Sequence, residues 1–179
     1  MRRTVAWLFL TVCFLSVCSC ASQPVRPPSE WRYEKDAVQL NLKADPQLNL
    51  YDGNPHTLLL CVYQLRDPNA LNQLSEDEEG LYKLLECSGF DAAVVGSKRL
   101  IVYPGKDLTT TLDRAEGARY VAVVAGYYLV RKEGMVRLYD VPWVVEKKGL
   151  MGRTKEAKPA PLTIDLVLGS EQIQMSGGN

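Results

Sequence analysis

Two stretches, separated by a proline stop, decide what this chain can fold into. Val38, Leu40, Leu42 and Ala44 alternate with Gln39, Asn41 and Lys43, the period of two that marks a strand with one buried face. Asp45-Pro46 ends the run, because proline donates nothing to a ladder and restrains the residue before it. From Thr57 to Leu65 both alternating sets are apolar: Leu59, Cys61, Tyr63 and Leu65 on one side, Leu58, Leu60 and Val62 on the other. Such a strand is central in its sheet and needs a cover on the face that a plain two-sheet sandwich leaves wet. Between the two strands, residues 46 to 55 carry Leu48, Leu50 and Tyr51 among turn-forming residues. Apolar side chains in such a loop either tuck into the core or meet a partner.

The pattern then turns helical and back to strand. Asp67 as N-cap and Pro68 as first helical residue open a short helix carrying Ala70, Leu71 and Leu74. Ser75 and Glu78 have the spacing of a capping box for a second helix, whose buried stripe is Leu81, Leu84 and Leu85. Glu76 to Glu79 crowd the positive end of that helix dipole, so a solvated helix start accounts for the acidic run better than a metal site does. This helical insertion, about 68–90, is the expected cover of the second strand. Further strands are expected at Arg99–Tyr103, Leu108–Asp113 and Arg119–Val130, then, after a turn at Arg131–Gly134, at Met135–Glu146. Lys147–Pro161, basic and containing Gly and Pro, reads as a mobile surface loop. Leu162–Leu168 alternates as a last strand, with Gln172–Met175 as its extension. Hairpin spacing with one helical insertion indicates an all-β sandwich, not the strand-helix alternation of a parallel sheet.

At 179 residues and 46% hydrophobic content the chain suits one fully cored domain. Arg2 and Arg3 precede an apolar run from Val5 to Val17, too short for a bilayer core of about 30 Å and suited to a cleavable signal peptide. Residues 1–19 are read as that signal; without them 19 basic groups face 21 acidic ones, and a charge near −2 leaves no footprint for nucleic acid. The run ends Val17-Cys18-Ser19-Cys20-Ala21, which is similar to the lipobox of bacterial lipoproteins. Cys20 follows a small residue, whereas Cys18 would place bulky Val17 at the cleavage position; an ordinary signal peptide with stray cysteines is the alternative. Ala21 stands where an aspartate would retain a lipoprotein in the inner membrane, so the outer membrane, facing the periplasm, is the expected address. Residues 20–35 then form a lipidated, proline-rich tether and 36–179 the sandwich domain. Cys61 and Cys87 remain, available for a disulfide in an oxidising compartment. Two separately buried thiols are the alternative.

Catalysis finds no support in the motifs. His56 is the single histidine and borders a loop with no Cys or Asp spaced to share a metal. Neither a G-x-S-x-G elbow nor a P-loop is present. No enzyme activity and no cofactor are expected, apart from the covalent lipid on Cys20.

The wording of the organising stretch resembles a known family. Asp45-Pro46-Gln47-Leu48-Asn49, the Gly53-Asn54-Pro55 turn, the strand end VYQLRD, Tyr103-Pro104-Gly105 and the run ARYVAVVAGYY are similar to the TssJ lipoproteins of bacterial type VI secretion systems. The resemblance implies a transthyretin-like sandwich of two sheets with extra helices. It also implies an outer-membrane lipoprotein that grips the periplasmic domain of TssM, itself joined to TssL in the inner membrane. The family's contact maps here onto the loop Pro46, Gln47, Leu48, Asn49, Leu50, Tyr51, Asp52, Gly53, Asn54 and Pro55, with Leu50 where a proline is common. A different class of function is a periplasmic sandwich lipoprotein that binds a small ligand or glycan in an aromatic-lined cleft, using Tyr127, Tyr128 or Trp143. Otherwise those three are expected to fill the core or support the sheet.

Overall fold

A computed structural model describes residues 26–148 and 154–174. The expected signal peptide, Cys20 and the first part of the expected tether lie outside the described residues. In one sheet, β1 (Glu34–Ala44) lies between β4 (Leu108–Arg114), antiparallel, and β9 (Leu162–Leu168), parallel. The short β10 (Ile173–Gln174) closes back onto β9 as a hairpin and does not extend it. The second sheet has the order β3 (Val94–Val102), β2 (Leu58–Leu65), β5 (Tyr120–Ala125), β6 (Val136–Asp140), all antiparallel. Together they form a two-sheet sandwich, as the strand patterns require.

The alternation of β1 sends Val38, Leu40, Leu42 and Ala44 into the core between the sheets. Its other face stays polar: Gln39 donates to Asn41 at 3.1 Å, and Asn41 donates to Asp165 on β9 at 2.8 Å. β2 is covered on both sides. Leu58, Leu60 and Val62 meet the first sheet, while Leu81 and Leu84 of the helical insertion help bury the opposite face. Cys61 on that face is disulfide-bonded to Cys87, with Cα atoms 5.0 Å apart. The hydroxyl of Tyr63 donates to the Leu84 carbonyl at 2.6 Å, and its ring meets Phe90 edge-on at 5.1 Å.

The helix starts differ from the sequence expectation. Pro68 occupies the cap position of α1 (Asn69–Leu74), and Asp67 accepts from the Asn69 N–H at 3.2 Å. Asp77, not Ser75, caps α2 (Glu78–Leu84), accepting from the Gly80 N–H at 2.7 Å. Ser75 instead ends α1 and donates to the Asn72 carbonyl at 2.8 Å. The two helices pack so closely that a Cβ at Gly80 would run into the Leu74 carbonyl.

Strand limits also move. β3 begins well before Arg99, and β5 stops at Gly126, whose N–H donates to Leu59 at 2.8 Å. The expected hairpin turn is a single helical turn, α3 (Lys132–Met135). The expected strand to Glu146 breaks at Val141-Pro142, where the second sheet ends. Beyond it, β7 (Trp143–Lys148) and β8 (Thr154–Pro159) pair as a separate antiparallel ribbon. The mobile loop expected at Lys147–Pro161 is therefore largely strand, because Thr154–Pro159 completes a ladder with Trp143–Lys148; residues 149–153 lie outside the described residues.

Tyr63 couples this packing to pH. Burial pushes its hydroxyl up to about 12, against 10.0 in an ordinary setting, and burial also raises Tyr127 and Tyr139. An acid whose folded pKa is raised holds its proton longer in the native state. Its stabilising contribution is complete below pH 10 and is lost as pH rises toward about 12. The urea midpoint should fall across that window, and Tyr63→Phe should flatten the fall while costing about 1 kcal/mol at neutral pH.

Strand registers gather the connections at two poles. Residues 45–57, 103–107, 126–135 and 169–172 lie at one end, where β1 finishes and β2 begins. The incoming segment, residues 115–119 and the base of the ribbon lie at the other. Trp31 and Pro28 are already buried at that far pole, so the later part of the segment expected as a tether (residues 20–35) packs on the domain before β1 starts. Eleven residues of β1 separate the poles, a span of about 35 Å.

Candidate partner-binding site

The loop from 46 to 55 is built by the backbone and one asparagine. Asp45 receives the Gln47 N–H on its side chain at 2.7 Å, and its carbonyl accepts from Leu48 at 2.9 Å and Gly105 at 3.1 Å. Leu48 drops fully into the core. Asn49 follows in the left-handed region at φ 49° and is itself buried. Its side-chain amide donates to the Thr57 carbonyl at 3.0 Å, and its oxygen accepts from the Tyr128 N–H at 2.9 Å. Asparagine suits both demands, since it tolerates positive φ and offers a donor and an acceptor on one short side chain.

Leu50 is half-buried, and its N–H donates to the Ser170 carbonyl at 2.7 Å. A proline at this position would lack that N–H, so the leucine ties the loop to the β9–β10 turn. Tyr51 and Asn54 exchange backbone hydrogen bonds at 3.0 Å around Asp52 and Gly53, with φ of 48° and 73°. Positive φ at both central residues is the mark of a type I′ hairpin turn. Tyr51, 58% exposed, stands beside Tyr128, 53% exposed, with ring centroids 4.5 Å apart and planes within 20°. His56 meets the Tyr128 ring edge-on at 5.0 Å and donates from Nδ1 to the Asn54 carbonyl at 2.9 Å.

Ten sequence-selected positions therefore divide. Leu48 and Asn49 are internal supports and present nothing outward; Pro46, Gln47 and Tyr51 to Pro55 are exposed. Tyr128 belongs with them, although it was expected in core or sheet. The signal for it is Gly126, which interrupts an otherwise continuous strand pattern and releases the residues after it. Tyr127 turns inward and is buried, while Trp143 lies on the ribbon at the far pole. The three aromatics of the ligand-binding reading thus do not converge. None of them lines the groove of about 720 Å³ found at the far pole, among whose walls are Trp31, Tyr33, Arg66 and Arg119. His56 serves the loop as an aromatic and backbone partner. Among the described residues no group of three metal-ligating side chains comes together, and no helix is long and apolar enough to cross a membrane.

Known proteins share this architecture. A chain in the crystal structure of the type VI secretion lipoprotein TssJ1 from Pseudomonas aeruginosa superposes with a TM-score of 0.56 at 22% identity, covering 83% of this chain and 95% of that one. Serratia marcescens Lip, described as a membrane-bound component of the type VI secretion system, gives 0.51 at 19% identity, with 76% and 94% covered. A chain in the structure of the TssM C-terminal domain from EAEC gives 0.57 at 14% identity, with 79% and 98% covered. At these identities the likenesses establish the fold. No curated protein matches the chain. The family described as type VI secretion lipoprotein, VasD, EvfM, TssJ matches residues 36–164. By that match the chain belongs to the type VI secretion lipoproteins, a structural family and not an enzymatic one.

Proposed function

We propose that this lipoprotein anchors the type VI membrane complex at the outer membrane by gripping the periplasmic domain of TssM, with TssL completing the complex at the inner membrane. The observation that carries the reading is the exposed, stacked pair of Tyr51, on a loop whose backbone is bonded at almost every step, and Tyr128, on the neighbouring loop that Asn49 ties to it. Aromatics held in advance contribute strongly to binding, because little freedom remains to be lost. Family membership supports the partner class, as do the likenesses to chains in the TssM C-terminal domain structure and in the type VI membrane complex. A lipid on Cys20 would hold the opposite pole to the membrane and leave this one free.

Calorimetric titration of residues 21–179 with the periplasmic domain of the co-encoded TssM tests the proposal. Tyr51→Ser and Tyr128→Ser should each weaken binding about 30-fold, roughly 2 kcal/mol, with melting temperatures unchanged because both rings are largely exposed. Full affinity in both variants would move the interface away from this pole. A folded wild-type domain that does not bind would overturn the proposal.

A further inference from the structure

The β7–β8 ribbon stands apart from the sandwich. Successive strand residues point to opposite faces, yet both Val144, 50% exposed, and Val145, 39% exposed, are open to solvent. Neither face of the ribbon is therefore covered in full. An isolated two-stranded ribbon is marginal in water, and one carrying Trp143, Val144 and Val145 outward is a liability unless something receives it.

The two faces differ in chemistry. Register places Val144 opposite Lys158 and Glu146 opposite Glu156 on one face. There Lys158 pairs with Glu146 at 2.6 Å, and electrostatic attraction links Lys158 to Glu34 and Glu156 to Arg32. That face interacts electrostatically with the segment entering β1. On the other face Trp143 lies opposite Pro159 and Val145 opposite Ala157, with Lys155 beyond them and no acidic residue. A tryptophan, small apolar neighbours and a lysine form the pattern that settles at an anionic lipid headgroup layer.

Position supplies the occupant. The ribbon springs from the pole at which the N-terminal segment joins the domain, and Pro28 is already buried there. From Pro28 back to Cys20 the chain can reach at most about 28 Å, and a six-residue ribbon is about 20 Å long. A lipid on Cys20 therefore keeps the ribbon within touching distance of the bilayer. We propose that the Trp143, Val145, Lys155, Ala157, Pro159 face of the β7–β8 ribbon lies against the surface of an anionic phospholipid bilayer, forming a second, non-covalent membrane contact. This rests on the proposed anchor at Cys20.

The test uses the full chain, produced with its own leader in a Gram-negative host. It is purified in detergent and reconstituted into vesicles of phosphatidylethanolamine with a minority of phosphatidylglycerol. Flotation reports the anchor, and quenching of Trp143 by lipids brominated near the headgroup end reports the ribbon. Trp143→Phe supplies the background from buried Trp31. An interfacial ring lies about 5–10 Å deep, so the emission assigned to Trp143 should fall by about half. In a folded Val145→Glu variant that quenching should vanish while flotation persists. Flotation of the wild type without quenching overturns the ribbon contact and leaves the anchor standing. Shielding of Trp143 by the TssM periplasmic domain but not by lipid overturns it in favour of a protein interface. Failure to float overturns both.

Discussion

Replacing Cys61 and Cys87 with serine should lower stability by about 3.5 kcal/mol, the chain-entropy value for closing a loop of this length. The crosslink spans a sequence separation of 26 and encloses the whole helical cover. Without it the cover is held by apolar contacts such as Leu71, Leu81, Leu84 and Phe90 and by hydrogen bonds such as that of the Tyr63 hydroxyl. For a chain of this size the loss corresponds to a drop of about 10 °C in melting temperature. Thermal melts of the wild type with and without reductant, compared with the double-serine variant, check it. Reduced wild type and variant should coincide; a melt indifferent to reductant would show that the crosslink adds nothing to the domain. Cys87 sits at φ 55°, so the variant keeps that left-handed residue and isolates the effect of the bond.

Asn49→Ala should cost about 3 kcal/mol, although the residue lies in a loop. The Tyr128 N–H is left without its acceptor, the Thr57 carbonyl loses its donor, and alanine is placed at φ 49°. An unmet buried donor costs about 1–3 kcal/mol, and the left-handed conformation adds about 1–2 kcal/mol. Asn49→Gly removes the backbone part and should recover about 1 kcal/mol of the loss. Because the same bond positions Tyr128, partner affinity should fall in both variants even where the domain is still folded. Denaturant midpoints and titration on the same samples separate the two effects. An alanine variant of wild-type stability would show that the loop is held by its backbone bonds alone.

Much of this molecule was legible before any coordinates. β1 and β2 each show their burial in their own alternation, and the doubly apolar face of β2 demanded the cover that α1 and α2 provide. The loop between them was legible as a candidate site from Tyr51, which the structure leaves exposed, but Leu48 could equally have belonged to core or surface, since period alone does not say where an inward face ends. The misplaced helix start has a plain cause. Ser75 and Asp77 both precede an acidic turn, but Ser75 is taken up as the end of α1, its hydroxyl bonded back to Asn72, which leaves Asp77 to cap α2. The ribbon was missed because Lys155, Glu156 and Lys158 carry no apolar alternation. Its strand character comes from pairing with β7, a partner that local pattern cannot display. Tyr128 was missed because the candidate site is made by two loops brought together by Asn49, a contact of long sequence separation.

β1 is hydrogen-bonded along both edges, antiparallel to β4 and parallel to β9. In the proposed assembly the membrane holds one end of this strand and the partner holds the loop at its other end. Tension between the two envelope layers would then run along the strand axis. Both ladders would be loaded in shear and would have to fail together, whereas a strand peeled from a sheet edge loses its bonds one at a time. In that assembly the first strand, placed mid-sheet, would make the domain a mechanical coupling between the two attachments. Stretching a single molecule between its N-terminus and residue 52 should require more force than stretching it between the N- and C-termini, where β10 can peel first.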